Sequence, residues 1–362
     1  MAIKHVEEYR DVNLSRNLIA KIRDISKRPI RLMEVCGTHT VSIFRSGIRA
    51  VLPETITLLS GPGCPVCVTA QKEIDAFIEL AKIEDVVVTT FGDLMRVPGS
   101  GSSLQKERAE GRDIRMVYST MDALEIARKN PDKKVVFLGV GFETTAPTIA
   151  AAILAAHQMQ CHNFFVYSAH KLVPPALAAL MASETVKIDG FILPGHVSVI
   201  IGLGAYQPFF DRYRIPSVVA GFEPADLLQV IFQLTQQIEI DAPALANGYG
   251  RAVTQAGNRK ARQILEMVFD TTDVEWRGIG VIPRSGLKFN PAFAAYDAEQ
   301  AFVIDLPEAK EPKGCACGAI LTGTKIPTEC PVYKTVCTPD DPVGPCMVCS
   351  EGTCAAYYRY HG

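Results

Sequence analysis

From about residue 30 to residue 235 the chain alternates short apolar runs with stretches whose apolar positions recur at helical spacing. The runs cover 30–35, 56–60, 85–90 and 114–119, then 134–140, 163–168, 190–194 and 217–220. Each is almost continuously apolar and is bounded by Gly, Pro or polar residues. Strands covered on both faces, as in a parallel sheet between helices, read in this way. Successive runs lie roughly 25 to 30 residues apart in most cases, enough for one crossover helix between parallel strands. Within the intervals, Ile74, Phe77, Ile78 and Ala81 follow an i, i+3, i+4, i+7 spacing, and 121–129 and 147–158 behave likewise.

The pattern predicts an α/β fold made of two similar parallel-sheet domains, 1–122 and 123–235, followed by an irregular C-terminal domain, 236–362. Past residue 235 the periodicity loosens. Ile264, Leu265, Met267 and Val268 suggest one more helix, and prolines from Pro283 to Pro345 then interrupt the chain. Too few periodic apolar positions remain there for a separate core. A cluster that ties several loops together would supply the missing stability.

Composition narrows the function classes. The 362 residues are 48% hydrophobic and 21% charged with a net charge of −2, the profile of a globular protein of two or three domains. Lys and Arg are scattered, so neither nucleic acid nor an anionic membrane surface is an expected partner. The N-terminus lacks an apolar signal core, and a cytoplasmic location is expected. Residues 191–210 carry no Asp, Glu, Lys or Arg, but Pro194, Gly195, His196, Gly202, Gly204 and Pro208 break the stretch, which reads as strand, loop and short helix rather than a membrane span.

Seven of the eleven cysteines, Cys315, Cys317, Cys330, Cys337, Cys346, Cys349 and Cys354, fall in the last 48 residues. An odd total in a reducing compartment disfavours a disulfide framework and points to metal or sulfur chemistry. Two ligand groupings are open: Cys315-x14-Cys330-x6-Cys337-x16-Cys354, suited to a [4Fe–4S] cluster, or Cys315 and Cys317 with Cys346 and Cys349, suited to zinc.

Other reactive side chains fall just after predicted strands, where ligands bind in open α/β sheets. These are Cys36, His39, Cys64, Cys67, Asp93, Glu143, His170, His196 and Glu223. Cys36-Gly-Thr-His39 sets a thiol and an imidazole on one turn, able to ligate iron, nickel, copper or zinc, or to serve as a buried thiol with a structural histidine. Cys64-Pro-Val-Cys67 opens a helix, which favours thiolate at Cys64 and permits a reversible disulfide; half of a zinc site is the other reading. Gly139-Val-Gly-Phe-Glu143 approaches a dinucleotide fingerprint but has Thr144 in place of the third Gly, so close backbone packing around Glu143 fits better. Cys161 reads as a buried apolar thiol.

Taken together, Glu34-Val-Cys36-Gly-Thr-His39-Thr, Gly61-Pro-Gly-Cys64-Pro-Val-Cys67, Gly141-Phe-Glu143-Thr-Thr-Ala-Pro, His170-Lys-Leu-Val-Pro-Pro, Leu193-Pro-Gly-His196-Val-Ser, Gly221-Phe-Glu223-Pro-Ala-Asp226 and Met347-Val-Cys-Ser-Glu-Gly-Thr-Cys354 resemble the hydrogenase maturation factor HypD family. The resemblance runs from about residue 30 to the C-terminus. It implies a role in building the Fe(CN)2CO unit of [NiFe] hydrogenases, with a small HypC-like partner that helps to hold the iron and a HypE-like cyanide donor. It implies one [4Fe–4S] cluster on Cys315, Cys330, Cys337 and Cys354, iron bound by Cys36, and a redox dithiol at Cys64 and Cys67. The family pattern has Ser at position 349, so Cys349 is an extra thiol.

The implied function is a redox-active assembly scaffold rather than a conventional turnover enzyme. His39, His170, His196 and Glu143 would position diatomic ligands, relay protons or fix the Cys36 loop. Electron transfer from the cluster to Cys64 and Cys67 requires the tail to fold back on the first α/β half. The rivals are an iron–sulfur-dependent thiol–disulfide reductase, which would not need Cys36, and a zinc-stabilised, nucleotide-using α/β enzyme.

Overall fold

The computed structural model describes residues 7–306 and 308–361. Nine strands form two parallel sheets: β1 (Ile30–Glu34), β2 (Ile56–Ser60), β3 (Val86–Thr90), β4 (Ile114–Met116), β5 (Lys134–Gly139), β6 (Phe164–Ser168), β7 (Gly190–Leu193), β8 (Ser217–Val219) and β9 (Leu245–Asn247). The first sheet has the order β2-β1-β7-β8-β9 and the second β4-β3-β5-β6. All eight apolar runs form strands, and the central residues of all but β4 are buried. Val86–Thr90 is buried at every position, which follows from helices covering both faces of a parallel sheet.

The two sheets do not follow the contiguous division at residue 122. Strands β1 and β2 pair with β7, β8 and β9, while β3 to β6 form a sheet of their own. The chain therefore leaves the first sheet after β2, builds the second, and returns at β7, where Met33 lies opposite Phe191. Apolar runs reveal that strands exist but carry no label for their partners, since any two such strands can satisfy each other's backbone groups.

Both sheets share one logic. The first strand in sequence lies inside, the second lies outside it, and the third pairs with the first strand's other edge. Chain direction across the sheet thus reverses between β1 and β7 and again between β3 and β5. These reversals open crevices beyond the strand C-termini, where α/β sheets take ligands.

The region from 236 is also less irregular than expected. Strand β9 extends the first sheet, the helix Arg259–Val268 packs against the helix Ala146–Gln158, and β10 (Phe269–Trp276) pairs antiparallel with β11 (Gly280–Phe289). The hairpin is masked in sequence by its many polar positions and by Pro283. A register shift near Asp273 accommodates that proline, and Asp273 accepts the backbone N–H of Arg284, whose φ is +52°.

Beyond residue 308 the chain is made of short helices and turns. It has no core of its own. Cys317, Cys330, Cys337, Cys346, Cys349 and Cys354 belong to the same buried cluster as Met33, Leu59, Cys64 and Cys67. Among the described residues no helix is long and apolar enough to cross a membrane.

Candidate functional site

Strand β1 ends directly at the first crevice. Cys36 caps the helix Gly37–Arg45 with extended backbone, φ −151° and ψ 120°. The side chain of Glu34 turns over this cap, accepting the Cys36 N–H at 3.0 Å and the Thr40 hydroxyl. Glu34 is fully buried, and desolvation lifts its carboxyl to about 7. Burial likewise pushes the Cys36 thiol up to about 12, against the opposing pull of the His39 backbone N–H. Cys36 is therefore a neutral thiol at rest, and a metal that binds it must displace its proton.

The loop after β2 lies against this cap. Gly37 N–H donates to the Gly63 carbonyl at 2.9 Å, and a Cβ on Gly63 would overlap the Cys36 backbone, so only glycine fits there. Cys64 and Cys67 are joined as a disulfide across a Cα–Cα distance of 5.3 Å, closing the turn Pro65–Val68. Both are buried.

The histidines separate. His39 is fully buried, with Nε2 3.3 Å from the Ala220 carbonyl at the end of β8 and Nδ1 without a partner. Burial lowers it to about 4, so it is neutral. Its ring lies 4.8 Å from Phe222, and the exposed His196 stacks on the other side of Phe222 at 3.9 Å. His170 belongs elsewhere. Its Nδ1 lies 2.9 Å from Ser168 Oγ and its ring faces Phe269 of the hairpin. Burial lowers His170 to about 3.

Glu143 follows β5 and accepts the Val173 N–H at 2.9 Å, while its Oε2 is buried without a partner. Desolvation raises its carboxyl to about 7. The buried Tyr206 links it to the first crevice: burial holds this phenol above its usual range, and Glu143 and Cys36 push it the same way. Tyr206 Oη lies 3.0 Å from Ser198 Oγ, which donates to the Pro194 carbonyl.

The tail closes the site. The helix Thr353–Tyr360 packs on the helix Gly37–Arg45, and Pro345–Val348 packs on Pro65–Val68. Thr38 donates its hydroxyl to Glu351. Cys315 interacts with Cys317 and Cys330, and Cys337 with Cys354 and Cys330. Cys330 Sγ accepts the Ala316 N–H at 3.4 Å, and Cys337 Sγ accepts the Val343 N–H at 3.3 Å. Amide donors aimed at sulfur suit electron-rich thiolates on an iron–sulfur cluster. Among the described residues no three side chains close on one point as a single metal ion requires. Cys315, Cys330, Cys337 and Cys354 are nonetheless neighbours, and four separate irons would each take one of them.

The zinc grouping is not assembled. Cys349 Sγ lies 3.5 Å from Asp93 Oδ2, at the crevice beyond β3. Cys317 and Cys346 instead form a pair with sulfurs 3.0 Å apart. Hydrogen bonds from Cys315 and Cys346, helped by the charge of Arg277, hold the Cys317 thiol well below its usual range.

Residues 13–361 match the model of the HypD family, described as the hydrogenase formation hypA family. The chain belongs to the HypD family. Its sequence is 46% identical over 99% of its length to the hydrogenase maturation factor HypD of Rhizobium leguminosarum, covering 96% of that protein. The Azotobacter vinelandii factor of the same name is 46% identical (99% and 97% covered), and that of Cupriavidus necator 45% (99% and 97% covered). Its function is hydrogenase maturation, and its cysteine-rich C-terminal region suits metal binding.

Several residues of this HypD site were not identified as such from sequence. Glu34 and Glu351 stand inside recognised motifs but only the fold turns them onto Cys36 and Thr38. Phe222 likewise stands inside a recognised motif, whereas Tyr206 and the Cys317–Cys346 pairing carry no local signal, because their roles depend on contacts between distant segments.

Proposed function

We propose that this chain is the redox-active scaffold on which the Fe(CN)2CO unit of [NiFe] hydrogenase is assembled and carried. The observation that supports this best is the position of the Cys64–Cys67 turn, which touches the Cys36 cap on one side and the tail helix Pro345–Val348 on the other. In this reading Cys36 anchors the iron cargo, its proton leaving as iron binds. The thiol is buried, and the charge of the tail's Glu351 acts on it as it acts on the exposed His196, so cargo approaches from the rim that Glu351 occupies. A HypC-like small chaperone would supply further ligands there, and a HypE-like donor would bring cyanide.

Cys315, Cys330, Cys337 and Cys354 are the residues that would hold a [4Fe–4S] cluster. Bound there, such a cluster supplies one-electron chemistry. The chain's own residues do the rest. Cys317 and Cys346 form a dithiol beside the ligands, and Cys64 and Cys67 a second sulfur pair beside Cys36. Glu34 holds the Cys36 backbone, and His39, kept neutral, leaves Nδ1 available as a buried acceptor. Glu143, poised near neutrality, can hold or release a proton at Oε2.

The test is infrared spectroscopy of the protein purified anaerobically with its small partner. Cyanide and carbonyl stretches present in the parent and lost in Cys36→Ala are expected. A Cys36→Ala variant that keeps both the stretches and bound iron overturns the reading. A thiol–disulfide reductase would keep its disulfide activity in that variant.

A further inference from the structure

Arg277, at the tip of the hairpin, is a buried cation between the two sulfur groups. Its side chain is 1% exposed. Its backbone N–H donates to the Val68 carbonyl at 2.9 Å, directly after Cys67, and Nε donates to the Thr69 carbonyl at 2.9 Å. Nη1 donates to Gln71 Oε1 at 2.9 Å and to Glu311 Oε2 at 3.1 Å. Among the described residues Nη2 is buried without a partner. Its charge also acts on the Cys317 thiol, which interacts with Cys315. The hairpin tip is pressed close there, since a Cβ on Gly278 would overlap Gly318 in the tail.

An unpartnered guanidinium N–H in a protein interior is costly. Its carboxylate partner among the described residues, Glu311, is 58% exposed, so solvent weakens the neutralisation. Purely structural anchoring of the Cys64–Cys67 turn would need the backbone, Nε and Nη1 bonds but neither a free Nη2 nor a net charge. Both make sense if an electron-rich sulfur completes the shell.

We propose that Arg277 is a positioning residue that donates from Nη2 toward the sulfurs of the tail's iron–sulfur group and sets its potential. The inference rests on the cluster assignment of the preceding subsection. A buried positive charge favours the reduced state, which carries one more negative charge than the oxidised state. The same guanidinium holds the CxxC turn, so electron donor and acceptor lie on opposite sides of one cation.

The experiment is a redox titration of the anaerobically purified protein, followed by optical and paramagnetic signals, with iron measured separately. Arg277→Gln is expected to lower the reduction constant of the cluster about tenfold, equivalent to about 59 mV for a one-electron couple. Arg277→Lys, which keeps the charge, is expected to recover much of it. Glu311→Gln, at a half-exposed position that tolerates change, is expected to shift the potential the opposite way. Should Arg277→Gln fail to fold, the Glu311→Gln shift decides. An unmoved midpoint in Glu311→Gln, or equal shifts in Arg277→Gln and Arg277→Lys, overturns the inference. A parent protein without about four irons per chain instead removes the cluster assignment beneath it.

Discussion

Thr38 donates its hydroxyl to Glu351 at 2.6 Å across 313 residues of sequence. This bond ties the turn after Cys36 to the loop between Cys349 and Cys354, so the Cys36 cap and the cysteine tail share a wall. Arg49 reinforces the junction, its guanidinium lying 4.6 Å from the Phe44 ring and 5.6 Å from that of Tyr357. The tail is thus held against the first sheet by polar and aromatic contacts as well as by its buried thiols.

The junction at Gly37 has no spare room. A Cβ there would sit 2.5 Å from Glu351 Cβ and 2.7 Å from its carbonyl oxygen. Gly37→Ala is expected to displace the tail and to lower stability by about 1–3 kcal/mol. Denaturant unfolding measures the loss, and limited proteolysis between residues 340 and 352 should show the tail opening. A variant with parental stability and protease resistance contradicts the contact.

The ligand set of the tail is separable by iron content. Cys349 contacts Asp93, so Cys349→Ser should retain the full iron complement. Cys337→Ser should lose it. Anaerobic iron analysis of both variants checks this, and iron loss in Cys349→Ser would return that thiol to the ligand set.

Lys171 and Glu73 form a buried ion pair at 2.7 Å, with side-chain exposures of 1% and 9%. It joins the strand-end loop after β6 to the helix following the CxxC turn. Lys171→Met leaves a carboxylate without its cation and is expected to destabilise by about 3–5 kcal/mol. The double variant Lys171→Met with Glu73→Leu should recover most of this. Thermal and urea unfolding of the single and double variants measure the difference, and additive losses would contradict the pairing.

Two buried groups tilt the pH dependence of stability in opposite directions. His170 is lowered to about 3, so between that pH and about 6.5 the unfolded chain holds a proton that the folded chain lacks. Its contribution to stability therefore falls as the pH drops. Glu143 is raised to about 7, so from the ordinary carboxyl value near 4.5 up to that pH the folded chain holds the extra proton, and its contribution falls as the pH rises. Relative to the parent, His170→Gln should gain stability on acidification and Glu143→Gln should gain it on going from pH 5 to 7. Each slope is about 1.4 kcal/mol per pH unit. Denaturation at several pH values checks both signs, and parallel curves contradict the assignment.

Much of the fold was legible because two-sided burial leaves a plain mark. Runs such as 85–90 and 134–140 must be strands covered on both faces, and Ile74, Phe77, Ile78 and Ala81 must share one face of a helix. The hairpin of β10 and β11 was not legible, since Asp270, Asp273, Arg284 and Lys288 blur its alternation and Pro283 sits in its bulge. The candidate site divided in the same way. Cys36, Cys64, Cys67 and Glu143 stand where a strand has just ended. Glu351 and Arg277 carry no such mark, because what they touch lies far away in sequence.

Sequence alone determined the eight runs that became strands and the candidate reactive side chains that follow them, because burial and reactivity are written residue by residue. Tertiary structure alone decided that β1 and β2 belong with β7, β8 and β9, that His170 faces the hairpin, that Cys317 pairs with Cys346 and that Arg277 stands between the sulfurs. Those outcomes depend on which of many compatible surfaces meet. That choice is made by packing and hydrogen bonding across the whole molecule, which no local stretch of sequence contains.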